Sequence, residues 1–255
     1  MIKTSFNFQT LLVLILLSTG FNLNAQDDSD NYVMHESVMV TPDNTHLTIL
    51  GENLRKHNMK FHNEGPFNAS VFTISTGPNA GNMIWMMGPL MFKNLDSRPS
   101  SDAHDKDWRE NVMPYIKKMY TVEYWRRNDK LSNFENLDIN TYPIIFVRYG
   151  EVNQDMAFLM KPFFEMVSKT IKAMDGDNPW ELFYNEFRQG DLGRHVASVD
   201  FYKNWAEFDA PGTFRETFNK TIGENEWQRF LEMEKNLFTN TWDEIWEYNK
   251  YLSGK

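Results

Sequence analysis

Cysteine is absent from the 255-residue sequence, so no disulfide, no lipid-modified cysteine and no thiolate nucleophile can form, and stability must come from packing. An excess of basic charge is also lacking. Lys and Arg number 26 against 35 Asp and Glu, and a formal net charge of -9 repels nucleic acid phosphates and anionic lipid at long range. No basic stripe overrides that field, which excludes nucleic acid as a partner. Beyond the LLVLILL run at residues 11–17, no apolar stretch approaches the roughly 20 residues that span a bilayer. Phosphate-cradling glycine loops, a nucleophile elbow and an i, i+4 histidine pair with a glutamate are missing as well. Nucleotide hydrolysis, acyl-enzyme chemistry and a zincin-type metal site therefore have no motif to stand on, and zinc is not expected.

What is present begins with a targeting signal. Lys3, the apolar LLVLILL core and small Ala25 make residues 1–25 a secretory signal peptide with cleavage before Gln26, which predicts an exported, periplasmic or extracellular protein without a membrane span once the signal is removed. Residues 26–31, QDDSDN, read as a flexible acidic lead-in. The remainder is rich in large apolar side chains, with 20 Phe, 15 Met, 10 Tyr and 8 Trp to fill a core.

Along the chain, residues 36–42 read as a strand. Leu47, Leu50, Leu54 and Phe61 then share a helical face that stops at Asn63-Glu64-Gly65-Pro66. Residues 69–76 and 82–88 read as a hairpin, residues 103–119 as a helix shortened by Pro114, and residues 121–127 as a strand. The same order returns after the polar connector at residues 131–141. A strand at 144–149 leads to a helical face of Met156, Met160, Phe163, Val167 and Met174. A second hairpin, residues 180–189 and 194–203, turns through Gly190-Asp191-Leu192-Gly193. A helical region at 211–239 precedes a strand at 245–251. Phe92-Lys93-Asn94-Leu95 aligns on Tyr202-Lys203-Asn204-Trp205 at an offset of 110, whereas Glu123-Tyr124 aligns on Glu247-Tyr248 at 124, which assigns 14 extra residues to the second helical region.

Two successive β-α-β-β-α-β units, at 32–130 and 142–255 with a linker at 131–141, predict an α+β protein of tandem duplicated ferredoxin-like units. Each unit's sheet has a bare face that a second copy covers, which gives a pseudo-dimeric α/β barrel. This element order, with Arg148-Tyr149 ahead of a helix, resembles the dimeric α/β-barrel superfamily that includes antibiotic-biosynthesis-monooxygenase-like, NIPSNAP-like and stress-responsive barrel proteins. The resemblance implies a small organic ligand, a flavin-like group or haem, held inside the barrel or between a sheet and its helices, with cofactor-free oxygenation in some members. Nothing in the residues themselves calls for a cofactor. A homo-oligomer is compatible with the family.

Candidate ligand-binding residues follow from strand alternation. Trp85, Trp125, Arg148, Glu186 and His195 are the bulky or polar side chains expected to point into the shared space, with Glu123 or Glu186 as the carboxylate that neutralises Arg148. Trp180, Trp242 and Trp246 also fall in or beside strands, and Met83 and Met87 share the face of Trp85. The simpler reading is that the aromatic residues fill the barrel and that His195 is a partly wet residue beside the Gly193 turn. His57 and His62 flank a helix and read as surface or boundary residues. Asp175, Asp177 and Glu181 offer oxygen ligands of the kind calcium takes but lack EF-hand spacing, and a helix stop at Gly176 followed by a Pro-anchored strand entry is the preferred explanation of them. The function expected from the residues is binding of a small apolar or aromatic ligand, or of a protein, without turnover. An oxygenase or a haem-dependent enzyme is the alternative that the resemblance supplies.

Overall fold

A computed structural model describes residues 32–255 apart from 99, 134–136, 190 and 191. The signal, the acidic lead-in and half of the Gly190-Asp191-Leu192-Gly193 turn fall outside the described residues. Eight strands carry the fold: β1 Met34–Pro42, β2 Ala69–Thr76, β3 Met83–Leu90, β4 Ile116–Arg127, β5 Ile144–Val152, β6 Trp180–Asn185, β7 Val196–Tyr202 and β8 Phe238–Tyr248. The helices are α1 Leu47–Phe61, α2 Phe92–Leu95, α3 Asp102–Asp107, α4 Met160–Lys172, α5 Phe214–Phe218 and α6 Trp227–Leu237. No helix of the described residues is long and apolar enough to cross a membrane.

Every strand pair is antiparallel. In the first half the order is β4-β1-β3-β2, and in the second it is β8-β5-β7-β6, the same arrangement of first, second, third and fourth strands. Ladders between β2 and β8 and between β4 and β6 join the halves into one closed barrel, which leaves no sheet edge unpaired. Both faces of a strand are therefore covered, one by the barrel interior and one by helices. That accounts for β1, buried at seven of its nine positions although its sequence mixes polar and apolar residues.

The ladder registers correct the repeat spacing. Met39 pairs with Ile84 as Tyr149 pairs with Ala197, and Ser37 pairs with Glu123 as Val147 pairs with Glu244. The offset is thus 110 for β1 and β5 (39 to 149), 113 for β3 and β7 (84 to 197) and 121 for β4 and β8 (123 to 244). The connection before β8 holds eight extra residues (121 minus 113), not 14. An offset of 124 would carry Glu123, which faces the interior, onto Glu247, whose carboxylate accepts from Ser75 on an exposed face. A repeat aligned on dipeptides ignores the alternation of side chains, whereas ladder pairing cannot. The equivalent pair is Glu123-Tyr124-Trp125 and Glu244-Ile245-Trp246.

The segment expected as one helix at 103–119 is α3, a π turn over Trp108–Val112 and a 3-10 turn over Met113–Tyr115. Pro114 has no N–H to give an α-helix, and β4 starts at Ile116, five residues earlier than expected. Likewise β8 begins at Phe238, because α6 already ends at Leu237. Three apolar clusters result. One fills part of the barrel around Trp125, Tyr149 and Trp246; one lies between the first half-sheet and α1; one lies between the second half-sheet and α4, α5 and α6.

Candidate functional site

The barrel interior divides into a plugged end and an open end. At the plugged end two buried carboxylates are tied down. Glu123 accepts from Arg194 Nε at 3.0 Å and from Asn185 Nδ2 at 3.1 Å. Glu244 accepts from Trp246 Nε1 at 2.8 Å and from Asn79 Nδ2 at 2.6 Å. Burial pushes the Glu123 carboxyl up, opposed by the Arg194 guanidinium. Burial also holds the Tyr149 hydroxyl well above its ordinary value, so it stays neutral.

Toward the other end the side chains leave a cavity of about 460 Å³. Its walls include Trp125, Phe183, Phe201 and Trp246, and Leu137 and Ile139 from the connector between the halves lie over it. Besides the neutral Tyr149, three titratable side chains line it: His35, Arg127 and Glu181. Arg127 Nη1 donates to Glu181 Oε1 at 2.6 Å and its Nε to Asp129 Oδ1 at 2.5 Å. Burial raises the Glu181 carboxyl, and Arg127 pulls the other way.

His35 stands edge-on to Phe183, with ring centroids 5.9 Å apart. It is half-buried and lines the cavity. Burial, followed by the charge of Arg127, lowers its pKa to about 4, so the ring is neutral at ordinary pH. Gly88 makes room for it. A Cβ there would lie 2.7 Å from His35 Nδ1, and the φ of 141° is one that glycine tolerates.

Of the residues singled out from sequence, Trp125 lines this cavity. Trp85 does not. Its Nε1 donates to Asn58 Oδ1 at 3.0 Å, and it packs against α1 with Met83 and Met87, because even-numbered residues of β3 face inward. Trp180 likewise faces the helices of the second half, while Trp242 and Trp246 belong to the interior. Arg148 pairs with Asp243 on the outer face through two bonds of 2.8 and 2.9 Å, with 49% of its side chain exposed, and not with Glu123 or Glu186. Glu186 ion-pairs with Arg126, whose guanidinium lies over Tyr32 outside the barrel. His195 accepts at Nδ1 from the Val152 N–H at 3.0 Å, so its proton sits on Nε2, and it lies before β7 beside Gly193.

Sequence reasoning missed His35 and Arg127. Starting β1 two residues earlier would have placed His35 on the face of Ser37 and Met39, so alternation carried the signal. His57 and His62 are buried, not on the surface. Asp175, Asp177 and Glu181 do not converge, since Tyr142 donates to Asp177 and Glu181 turns into the barrel.

A smaller cavity, about 290 Å³, lies between the second half-sheet and α4, α5 and α6. Asp200 lines it with a pKa raised to about 7, chiefly by burial. Among the described residues no His or Met side chain lines it, and the Tyr149 hydroxyl is held neutral, so these residues do not fit a haem that needs a protein ligand on iron.

No protein-family model matches the chain, and no curated protein matches it in sequence. Solved structures do. The chain is similar to a candidate monooxygenase from Fusobacterium nucleatum subsp. nucleatum, with a TM-score of 0.56, 8% identity and coverage of 87% of this chain and 94% of that one. A candidate monooxygenase from Lactobacillus acidophilus NCFM gives 0.52, 11%, 86% and 94% respectively. A candidate dyp-type peroxidase protein from Shewanella oneidensis gives 0.50, 8%, 89% and 96%. At these identities the likeness is one of fold, and with the closed eight-stranded sheet it makes this an α+β protein of the dimeric α/β-barrel type.

Proposed function

We propose that the barrel cavity takes up a flat aromatic molecule bearing an ionisable hydroxyl, and that the protein oxidises it with molecular oxygen. The observation that carries this reading is the neutral imidazole of His35, set in an aromatic-walled cavity beside Arg127. Apolar walls with a few convergent polar groups suit such a ligand. A neutral imidazole can accept the hydroxyl proton, and the Arg127 guanidinium favours the anion that remains. An electron-rich aromatic anion passes an electron to oxygen more readily than its neutral form does; the radical pair then joins at a ring carbon bearing hydrogen, and the hydroperoxide loses water, so that phenol and O2 become quinone and H2O and oxygen is the only oxidant the step needs. Because His35 is a weak base, its contribution is greatest for a hydroxyl whose own pKa the cavity lowers. Two of the structural neighbours being candidate monooxygenases supports the reaction class.

The second reading is binding without turnover, which the same aromatic walls support. An oxygen electrode separates the two. Purified protein supplied with a panel of polycyclic phenols should consume oxygen with at least one of them, and His35→Gln should lower the rate about 100-fold, within the range general base catalysis contributes. Saturable binding with no oxygen uptake across the panel would leave a binding protein and refute the oxidation.

A further inference from the structure

Outside the barrel, three histidines distant in sequence meet between α1 and α3. His57 lies on α1, His62 follows its last residue, and His104 lies on α3. Their ring nitrogens come within 4.8 Å of one another. The tautomers can be assigned from the partners on the far side of each ring. His57 Nδ1 faces Asp107 Oδ2 at 2.8 Å, His62 Nδ1 faces the Phe67 carbonyl at 3.1 Å, and His104 Nδ1 faces Asp105 Oδ1 at 2.9 Å. A carbonyl or a carboxylate accepts only, so each Nδ1 is the donor and carries the proton. That leaves each Nε2 as the ring nitrogen free for a ligand, and one ligand nitrogen from each residue lies within 4.8 Å of the others.

That arrangement is unfavourable without a cation. His62 Nε2 and His104 Nε2 stand 3.1 Å apart, a contact of two acceptors unless a proton or a cation sits between them. His57 Nε2 is buried with no partner at all. A metal ion relieves all three lone pairs at once. Tetrahedral Zn–N bonds of ~2.05 Å put ligating nitrogens about 3.3 Å apart, close to the His62–His104 separation.

We propose that His57, His62 and His104 form a three-histidine site for a divalent transition metal, with zinc as its natural occupant. Asp107, the Phe67 carbonyl and Asp105 orient the rings, as partners behind metal-bound histidines generally do. Asp105 and Asp107 also offset the charge of the ion. The side chain of His104 is 19% exposed, so solvent reaches this corner, where a water would complete the four ligands zinc takes. Phe61, Trp85 and Trp108 wall the other sides, with ring centroids 5.1 Å from the imidazoles and those of Trp85 and Trp108 5.9 Å from each other. Trp85 thus stands against a metal site and not in the barrel.

The test uses the full chain without a polyhistidine tag, stripped with a chelator and titrated with Zn2+ by calorimetry and with Co2+ by visible absorption. One equivalent should bind, with the intense visible bands of four-coordinate cobalt, and X-ray absorption of the zinc form should count three imidazole ligands. His104→Ala should weaken Zn2+ binding at least 100-fold, Asp107→Asn roughly 10- to 100-fold, and His46→Ala, on an exposed turn, not at all. Since His104 is the most exposed of the three, its variant should fold, which circular dichroism checks; should it not, Asp107→Asn and the ligand count decide. Absence of saturable 1:1 binding, an affinity indifferent to the variants that fold, or fewer than three imidazoles on the zinc would overturn the proposal.

Discussion

Replacing His35 with Gln should make the protein less sensitive to acid. The unfolded imidazole titrates near 6.5 and the folded one near 4, so between these values the unfolded chain binds a proton that the folded chain refuses. Stability attributable to His35 is therefore fully present at neutral pH and is lost as pH falls from about 7 to 4. At about 1.4 kcal/mol per pH unit, the loss amounts to about 3 kcal/mol. Arg127 and Glu181 are the charged groups that share the cavity, and their ion pair persists in the variant. Denaturant unfolding of both proteins at pH 7, 6, 5 and 4.5 gives the difference directly, because other histidines cancel between them. The wild-type curve should fall below that of His35→Gln by a growing margin as pH drops. Parallel curves would show that His35 is solvated and titrates normally, and the neutral base in the cavity would be refuted.

Other substitutions discriminate inner from outer positions. Arg148→Leu should change stability by at most about 1 kcal/mol, since its pair with Asp243 is half exposed, whereas Arg194→Leu strands the buried Glu123 and should cost roughly 3 to 5 kcal/mol in the same unfolding assay. The folded carboxyl of Asp200 is raised to about 7, so its stability contribution declines as pH rises from about 4 through 7; Asp200→Asn should remove that decline and leave the variant more stable than the parent at pH 8. Gly88→Ala, which would drive a methyl against His35, should lower the thermal midpoint by several degrees and abolish any His35-dependent activity. Export is tested by intact mass, with a chain beginning at Gln26 expected and retention of residues 1–25 the contrary result.

Element order was legible because periodicity and breakers are local. The Pro66 stop, the Gly77 to Gly81 hairpin and the helical face around Phe163 all read directly, and the α+β barrel followed from them. Side-chain direction was harder. Trp85 and Trp125 look alike as strand tryptophans, yet one faces α1 and the other the cavity, because a fully covered strand is apolar on both faces and its composition does not tell them apart. The ladder partner decides, and that is a long-range fact. Arg148 shows the same limit, since its carboxylate, Asp243, lies 95 residues away on β8. The histidine trio is hidden for the same reason: metal-ligand spacing is local in sequence, while His104 reaches His57 and His62 through packing of α3 on α1.

The central claim is that the barrel interior is a binding cavity. Filling it with Val199→Trp, at a position on its wall, tests this most directly when titration of a fluorescent naphthol is followed in both proteins. The wild type should bind one equivalent with quenching of the Trp125 and Trp246 emission, and the filled variant, folded by circular dichroism, should lose that binding at least 100-fold. Equal affinity in the two proteins would place the ligand elsewhere and contradict the account.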